Sequence, residues 1–149
     1  MQGAQLSRYR RLKETPLIYL SNACDYKVGV SLRGGIPICW PWFGNLDKNP
    51  AAVQSQFDEE AIKNAPAHGF VRSIDWTVDA IETPTDTETL IKLSYHNTSD
   101  NPYWPFDTHL HYQLTMGESL SAQLTIENTD SRAMVFTDAL HTYLSVSRV

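Results

Sequence analysis

The chain has 149 residues, of which 42% are hydrophobic and 11% aromatic, so we expect an ordered core and no global disorder. Its formal net charge of −5 argues against a general nucleic-acid-binding protein. No apolar run reaches the roughly 18 residues of a membrane-spanning helix, and no membrane partner is expected.

The first half of the chain predicts short strands, one irregular loop and one helix. Strands are predicted at 17–20 and 28–32, before a loop at 33–44 that is rich in glycine and proline. Residues 58–64 form the single predicted helix, because acidic residues in its first turn suit the helix dipole. This helix lies in a long connection, and such connections are typically functional or mobile.

The second half predicts β-structure. Apolar and polar residues alternate along 106–116 and along 119–127, with Gly117 in the turn between them, which is typical of a half-buried hairpin. Another hairpin is expected to turn at 83–86. The strands are predicted at residues 74–81, 88–96, 106–116, 119–127, 134–137 and 140–146. This pattern favours an all-β fold, an antiparallel β-sandwich, without fixing its topology.

Three short segments carry the functional signal. Residues 33–44 have the sequence Arg-Gly-Gly-Ile-Pro-Ile-Cys-Trp-Pro-Trp-Phe-Gly, whose prolines and glycines do not suit a regular helix or strand. Aromatic side chains beside Arg33 suit a loop that lines a pocket for a polar, partly apolar ligand such as a sugar phosphate. The other segments are Pro-Ala-His-Gly-Phe-Val-Arg at 66–72 and Ala-Leu-His-Thr-Tyr at 139–143.

These segments resemble the hexose-6-phosphate mutarotase branch of the aldose 1-epimerase family, and they occur in that family's order. Gly-Ala-Gln-Leu at 3–6 and Trp-Pro-Phe at 104–106 extend the resemblance over nearly the whole chain. It implies a β-sandwich of the galactose-mutarotase type and an isomerase that interconverts the α and β anomers of a hexose 6-phosphate, with glucose 6-phosphate the expected substrate. Such a reaction needs an acid and a base on opposite sides of the sugar and no metal or organic cofactor.

The resemblance assigns roles to several residues. His141 is the expected catalytic acid, although its periodicity alone would favour a structural strand histidine. Arg33 and Arg72 are the expected phosphate-binding pair, since two guanidinium groups can each bind an anion in bidentate fashion; ordinary surface ion pairs are the alternative. His68 is expected to hold a sugar hydroxyl, or else to support the turn at Gly69.

Aromatic residues of the first segment have two interpretations. Trp40 and Phe43, and also Trp42, could stack on the apolar face of a hexose, or they could hold the loop in the core. We expect at least one of them to do the latter.

The base that the family supplies is a glutamate, and no carboxylate of this chain lies in a matching motif. The family's domains are also longer than this chain, so we expect residues 1–149 to form a partial domain that lacks the base and is nearly inactive alone. Uncovered sheet edges would then favour dimerisation or strand swapping.

Two further patterns have modest interpretations. His109 and His111 share one strand face with a spacing that can bind zinc, but no third ligand is evident, so a solvated face and no metal site are predicted. Cys24 and Cys39 are too few for a disulfide framework and suit a reducing cytoplasm.

Three alternatives remain open at this point. A carbohydrate-binding module without catalysis could retain the same arginines and aromatic residues. An aldose 1-epimerase for unphosphorylated sugars would share the histidine but not the phosphate-binding pair. An interaction fragment without any ligand would rely on its exposed sheet.

Overall fold

A four-stranded antiparallel sheet forms the largest element of the computed structural model, which describes residues 2–11 and 13–146. The strands are β1 Ile38–Cys39, β2 Thr77–Thr85, β3 Glu88–Asn97, β4 Thr108–Met116, β5 Leu120–Asn128 and β6 Ala139–Leu140. The four-stranded sheet has the order β2-β3-β4-β5. The two-residue strands β1 and β6 form a separate antiparallel pair. This arrangement confirms the predicted all-β, antiparallel fold class.

The helices are short and lie between the first and second functional segments. They are a 3-10 helix at Leu46–Lys48, α1 at Ala51–Gln54 and α2 at Glu59–Asn64. The side chain of Asp58 caps α2 by accepting a hydrogen bond from the backbone N–H of Ala61, which agrees with the predicted helix at 58–64. In the described part of the chain, no helix is long and apolar enough to cross a membrane.

Alternation along β4 and β5 builds the core face of the sheet. Leu110, Tyr112 and Leu114 are buried on β4, and Ile126 on β5 is the register partner of Leu110. The intervening side chains lie on the opposite, polar face, because successive side chains of a strand point to opposite sides. The period-two prediction for this hairpin is therefore confirmed.

Strand β2 begins and ends later than the strand predicted at 74–81. It continues to Thr85, and its hairpin turns at 86–87 rather than at 83–86. Pro84 is tolerated within this strand because β2 lies at the sheet edge, where a missing backbone donor disrupts less of the hydrogen-bonded ladder. Two register shifts in the β2–β3 pairing, one on each side of Ile81, accompany this irregular edge.

Several predicted strands are replaced by side-chain hydrogen bonds. At 28–32, Gln2 accepts from the backbone N–H of Gly29 and donates to the carbonyl of Val30. At 134–137, Gln56 likewise accepts from the N–H of Val135 and donates to its carbonyl. These glutamine amides satisfy the backbone groups that a neighbouring strand would otherwise bind. Neither segment is a strand in the structure.

Isolated bridges replace the other short strands. Ile18 bridges Leu144, and Leu20 bridges Gly34, so 17–20 pairs at single positions only. The predicted strand 140–146 reduces to β6 and the bridge at Leu144. The predicted domain at 1–149 also includes residues 1, 12 and 147–149, which lie outside the described residues.

Residues 33–44 pack inward instead of forming a surface loop throughout. Ile36, Ile38 and Trp40 are buried in the main core, and the ring of Trp40 lies 5.1 Å from that of Trp104 and 6.0 Å from that of Phe70. This packing fixes the position of the segment against the four-stranded sheet. The residues that follow it, from Phe43 onward, are thereby placed at the rim of the core.

Candidate functional site

Four rings from the three functional segments form one group, which we call the ring cluster: Phe43, His68, His141 and Tyr143. The centroid of Phe43 lies 5.0 Å from that of His68 and 5.6 Å from that of His141. The two histidine rings are 5.8 Å apart, and Tyr143 stacks on His141 at 4.7 Å. Residues about 70 positions apart in sequence are therefore neighbours at one site.

Backbone pairing places His141 opposite the first segment. Leu140 is the register partner of Ile38, and the N–H of His141 donates to the carbonyl of Pro37 at 3.1 Å. The N–H of Tyr143 donates to the carbonyl of Gly35 at 3.0 Å. Because these bonds fix the register of the two segments, they fix which side chains of 139–143 lie beside Phe43.

The position of His68 depends on an unusual backbone. Its φ of 66° is left-handed, which is uncommon for a residue with a Cβ. Its N–H donates to the carbonyl of Gly44 at 2.6 Å, and its Nδ1 accepts from the N–H of Gly44 at 3.2 Å. Since Nδ1 is an acceptor, the neutral ring carries its proton on Nε2 and can donate it to a ligand.

The neutral form of His68 is favoured by its surroundings. Burial, the nearby positive charge of Arg72 and the neighbouring His141 lower the pKa of His68 below its ordinary value of 6.5. His68 is thus suited to donate a hydrogen bond at neutral pH.

Arg33 and Arg72 line one cavity of about 730 Å³, together with Tyr143 of the ring cluster. Gly34 also lines it, and its φ of 111° is a conformation that L side chains rarely adopt. Arg72 is oriented by a 2.7 Å hydrogen bond from Nη2 to the carbonyl of Ala67. The Cys24 thiol holds the backbone of Arg33. Its Sγ accepts from the N–H of Arg33 at 3.3 Å and donates to the carbonyl of Arg33 at 3.4 Å.

The aromatic residues of the first segment separate into two environments. Trp40 and Trp42 are fully buried, so their rings hold the loop in the core and do not offer a face to a sugar. Phe43 is 43% exposed, and its ring contacts both histidine rings. Of these three aromatic side chains, Phe43 is therefore the one available for a ligand, and the expected stacking role of Trp40 does not suit its position.

A polar contact that supports Phe43 was not apparent from the sequence. The hydroxyl of Thr137 accepts from the N–H of Phe43 at 3.0 Å and donates to Oδ1 of Asn49 at 2.5 Å. Asn49 in turn donates to the carbonyls of Phe43 and Asn45. Thr137 and Asn49 carry no local motif, and 88 positions separate them, so a sequence pattern does not connect them.

The first segment also holds a buried thiol, that of Cys39. Cys39 is buried, and desolvation raises its pKa to about 11 despite the opposing effect of Arg72. Both cysteines are free. Cys39 therefore contributes packing rather than a nucleophile.

The family model for aldose 1-epimerase matches residues 1–149. The chain belongs to the aldose 1-epimerase family. A relative from Salmonella typhimurium named "Putative glucose-6-phosphate 1-epimerase" is 32% identical over the whole chain, and one of the same name from Escherichia coli is also 32% identical. The chain spans 45% of the length of each of these relatives.

Solved structures agree with this assignment. A crystal structure described as a "putative mutarotase" from Salmonella typhimurium is 31% identical, with a TM-score of 0.79 over 97% of this chain and 43% of its own. The Slr1438 protein from Synechocystis shares the fold, with a TM-score of 0.76 and 24% identity over 96% of this chain and 47% of its own. The predicted mutarotase-type fold is therefore confirmed for this aldose 1-epimerase family chain.

Proposed function

We propose that this chain is the histidine-bearing part of a hexose-6-phosphate mutarotase, with glucose 6-phosphate as its substrate. The observation that supports this most directly is the ring cluster beside a cavity that both Arg33 and Arg72 line. The names of the relatives from Salmonella typhimurium and Escherichia coli point to the same substrate.

In this proposal His141 is the catalytic acid. It donates a proton to the ring oxygen as the bond from that oxygen to the anomeric carbon breaks, and a base removes the anomeric hydroxyl proton. Rotation about the bond next to the resulting aldehyde exposes its other face. Closure returns both protons, so the opposite anomer forms with no net change in atoms or charge.

The other rings position the sugar and the acid. His68 donates from Nε2 to a sugar hydroxyl, because its Nδ1 is already occupied by the N–H of Gly44. Phe43 and Tyr143 both stack on His141 and restrict its ring. Such restriction favours proton transfer, since general acids act within hydrogen-bond distance of the reacting atom.

The base is proposed to come from sequence outside this chain. Four glutamates of this chain lie elsewhere than in the ring cluster: Glu59 and Glu60 are in the first turn of α2, Glu118 is in the β4–β5 turn, and Glu127 is beside His111. We therefore assign the base to none of them. The matched relatives contain more than twice this length, which leaves room for a carboxylate in their remaining part.

We also propose a cytoplasmic location, because the two free cysteines suit a reducing compartment.

Two-dimensional exchange NMR on the anomeric protons tests this function. With the 149-residue chain we expect glucose 6-phosphate to bind without accelerated exchange. With the domain completed by its remaining half, we expect cross-peaks between the anomers of glucose 6-phosphate and much weaker ones with glucose. Exchange by the short chain alone would contradict the missing base, and equal rates with glucose would indicate an epimerase for unphosphorylated sugars.

Arginine variants of the completed protein test the phosphate contacts. Arg33→Gln and Arg72→Gln each remove a charge-assisted hydrogen-bond donor, so we expect roughly 10–100-fold weaker binding of glucose 6-phosphate. Binding of glucose should change little. If both variants bind glucose 6-phosphate as tightly as the parent, the arginines are not the phosphate site. If the completed parent protein binds glucose 6-phosphate but does not accelerate anomer exchange, it is a carbohydrate-binding module instead.

A further inference from the structure

A second group of histidines lies on the polar face of the four-stranded sheet, which the mutarotase proposal does not use. His109 on β4 is the register partner of His96 on β3 and of Glu127 on β5. His111 lies two residues further along β4, on the same face. The strand order therefore brings together four potential metal ligands from three strands.

Three of these side chains already converge. The ligand atoms of His109, His111 and Glu127 all lie within 4.8 Å of one another. Nε2 of His111 is 3.9 Å from Oε2 of Glu127. His96 packs edge-on against His109, with ring centroids 4.1 Å apart, and restricts the orientation of that ring.

We infer that His109, His111 and Glu127 bind a divalent transition metal ion, with zinc as the best match. Zinc binds histidine nitrogen at about 2.0–2.1 Å and carboxylate oxygen at about 2.0–2.2 Å, so neighbouring ligand atoms of a tetrahedral site lie roughly 3.3 Å apart. The present spacing of up to 4.8 Å requires ligand atoms to approach one another by at most about 1.5 Å. The His111 and Glu127 side chains are 54% and 60% exposed, and they can rotate to make it.

The ligand set indicates an open site. Two histidines and one carboxylate are three protein ligands, which leave a fourth tetrahedral position for water or another molecule. Imidazole ligands suit zinc, copper and nickel, whereas magnesium and calcium prefer oxygen ligands alone.

The site also joins two strands. His109 and His111 lie on β4 and Glu127 lies on β5, so a bound ion would connect the hairpin across its ladder. An ion that binds the folded chain better than the unfolded chain raises the melting temperature. Zinc should therefore stabilise the chain whether or not a sugar is present.

Isothermal titration calorimetry with zinc chloride tests the site on the untagged 149-residue chain, slightly above neutral pH where imidazole is mostly deprotonated. The variants are His109→Gln, His111→Gln and Glu127→Gln. The matched control is Gln113→Ala, which changes an exposed side chain on the same face of β4. We expect each ligand variant to weaken zinc binding by at least about tenfold, and the control to bind as the parent does.

A second measurement separates this site from the ring cluster, whose histidines could also bind zinc. His68→Gln should leave the titration of the sheet-face site unchanged, and the zinc-dependent rise in melting temperature should disappear in His109→Gln. Far-UV circular dichroism establishes that the variants fold. The inference is overturned if the parent binds no zinc, or if binding is lost in His68→Gln and retained in the three ligand variants. None of these outcomes depends on sugar isomerisation.

Discussion

The ring cluster brings two histidines together and the polar face of the sheet brings three together, by different physical means. In the ring cluster, His68 and His141 come from separate irregular segments that are held by backbone hydrogen bonds to residues 33–44. On the sheet, His109 and His111 are adjacent because a strand repeats its faces every two residues. The first arrangement depends on particular backbone conformations, and the second depends on strand register.

This difference determines the environment of each histidine pair. His68 and His141 are partly buried beside aromatic rings, and the charge of Arg72 acts on His68, which suits binding and proton transfer. On the sheet, His109 is partly buried and His111 is exposed, and Glu127 lies on the neighbouring strand β5. A loop-built site can thus tune a histidine more strongly than a sheet surface, at the cost of greater sensitivity to backbone changes.

Among substitutions in these two histidine groups, the largest expected effect is that of a ring-cluster substitution on catalysis. In the completed protein, His141→Gln removes the proposed acid, and anomer exchange of glucose 6-phosphate should fall by roughly 10²–10⁴-fold. Binding of glucose 6-phosphate should remain close to that of the parent, because the arginines are unchanged. Exchange NMR gives the rate and calorimetry gives the affinity.

A matched change on the sheet provides the control. Gln113→Ala on the polar face of β4 should leave the exchange rate unchanged, because it lies outside the ring cluster. If His141→Gln retained the full rate, the acid would have to be another group. If both variants lost activity together with their native circular dichroism, the loss would reflect folding, and His141→Asn would be the next substitution.

A smaller but specific effect is expected from the glycine beside His68. Gly69 has a φ of 68°, and a Cβ there would overlap the backbone carbonyl of Trp40. Gly69→Ala combines conformational strain of about 1–2 kcal/mol with forced displacement of the backbone costing about 1–3 kcal/mol. We therefore expect the free energy of unfolding in urea to fall by roughly 2–5 kcal/mol.

Two other glycines separate these contributions. Gly44→Ala has a similar φ of 71° but open space around the added Cβ, so only the strain of about 1–2 kcal/mol is expected. In the β4–β5 turn, the Cβ of Gly117→Ala would lie 2.9 Å from the flexible side chain of Glu88 and 3.2 Å from the backbone carbonyl of Thr87, a much milder overlap than that with the carbonyl of Trp40 at Gly69. A loss at Gly117 as large as at Gly69 would contradict the distinction between loop-built and register-built regions.

Most of the sheet could be predicted from the sequence because its information is local. The alternation in 106–116 and 119–127 gave both the strands and their buried faces. The turn at Gly117 then followed from composition. The 3-10 helix and α1 were missed, although Pro50 followed by two alanines is a known signal for a helix start.

The strand predictions that failed have a physical cause, which is long-range pairing. Gln56 satisfies the backbone of Val135 from 79 positions away, so the apolar composition of 134–137 gave no strand. Glu127 was not recognised as a neighbour of His109 for another reason: the hairpin at 106–127 was predicted, but not the register that sets these two residues opposite each other. The motifs predicted roles for Phe43, His68 and His141 but none for Tyr143, whereas periodicity alone would have made His141 a structural residue.

The smallest effect expected concerns the protonation of His68. A histidine whose pKa is lower in the folded than in the unfolded state binds fewer protons when folded, so protonation favours unfolding. Its contribution to stability is fully present above the ordinary value of 6.5, and it decreases as the pH falls toward the lower folded pKa.

The replacement His68→Asn removes this titration and suits the left-handed backbone, because asparagine tolerates positive φ. Urea unfolding between about pH 7 and about pH 5 should therefore show a smaller loss of stability in His68→Asn than in the parent. An NMR titration of the parent locates the His68 pKa directly, and a value at or above 6.5 would show that burial and Arg72 do not set the charge of this ring.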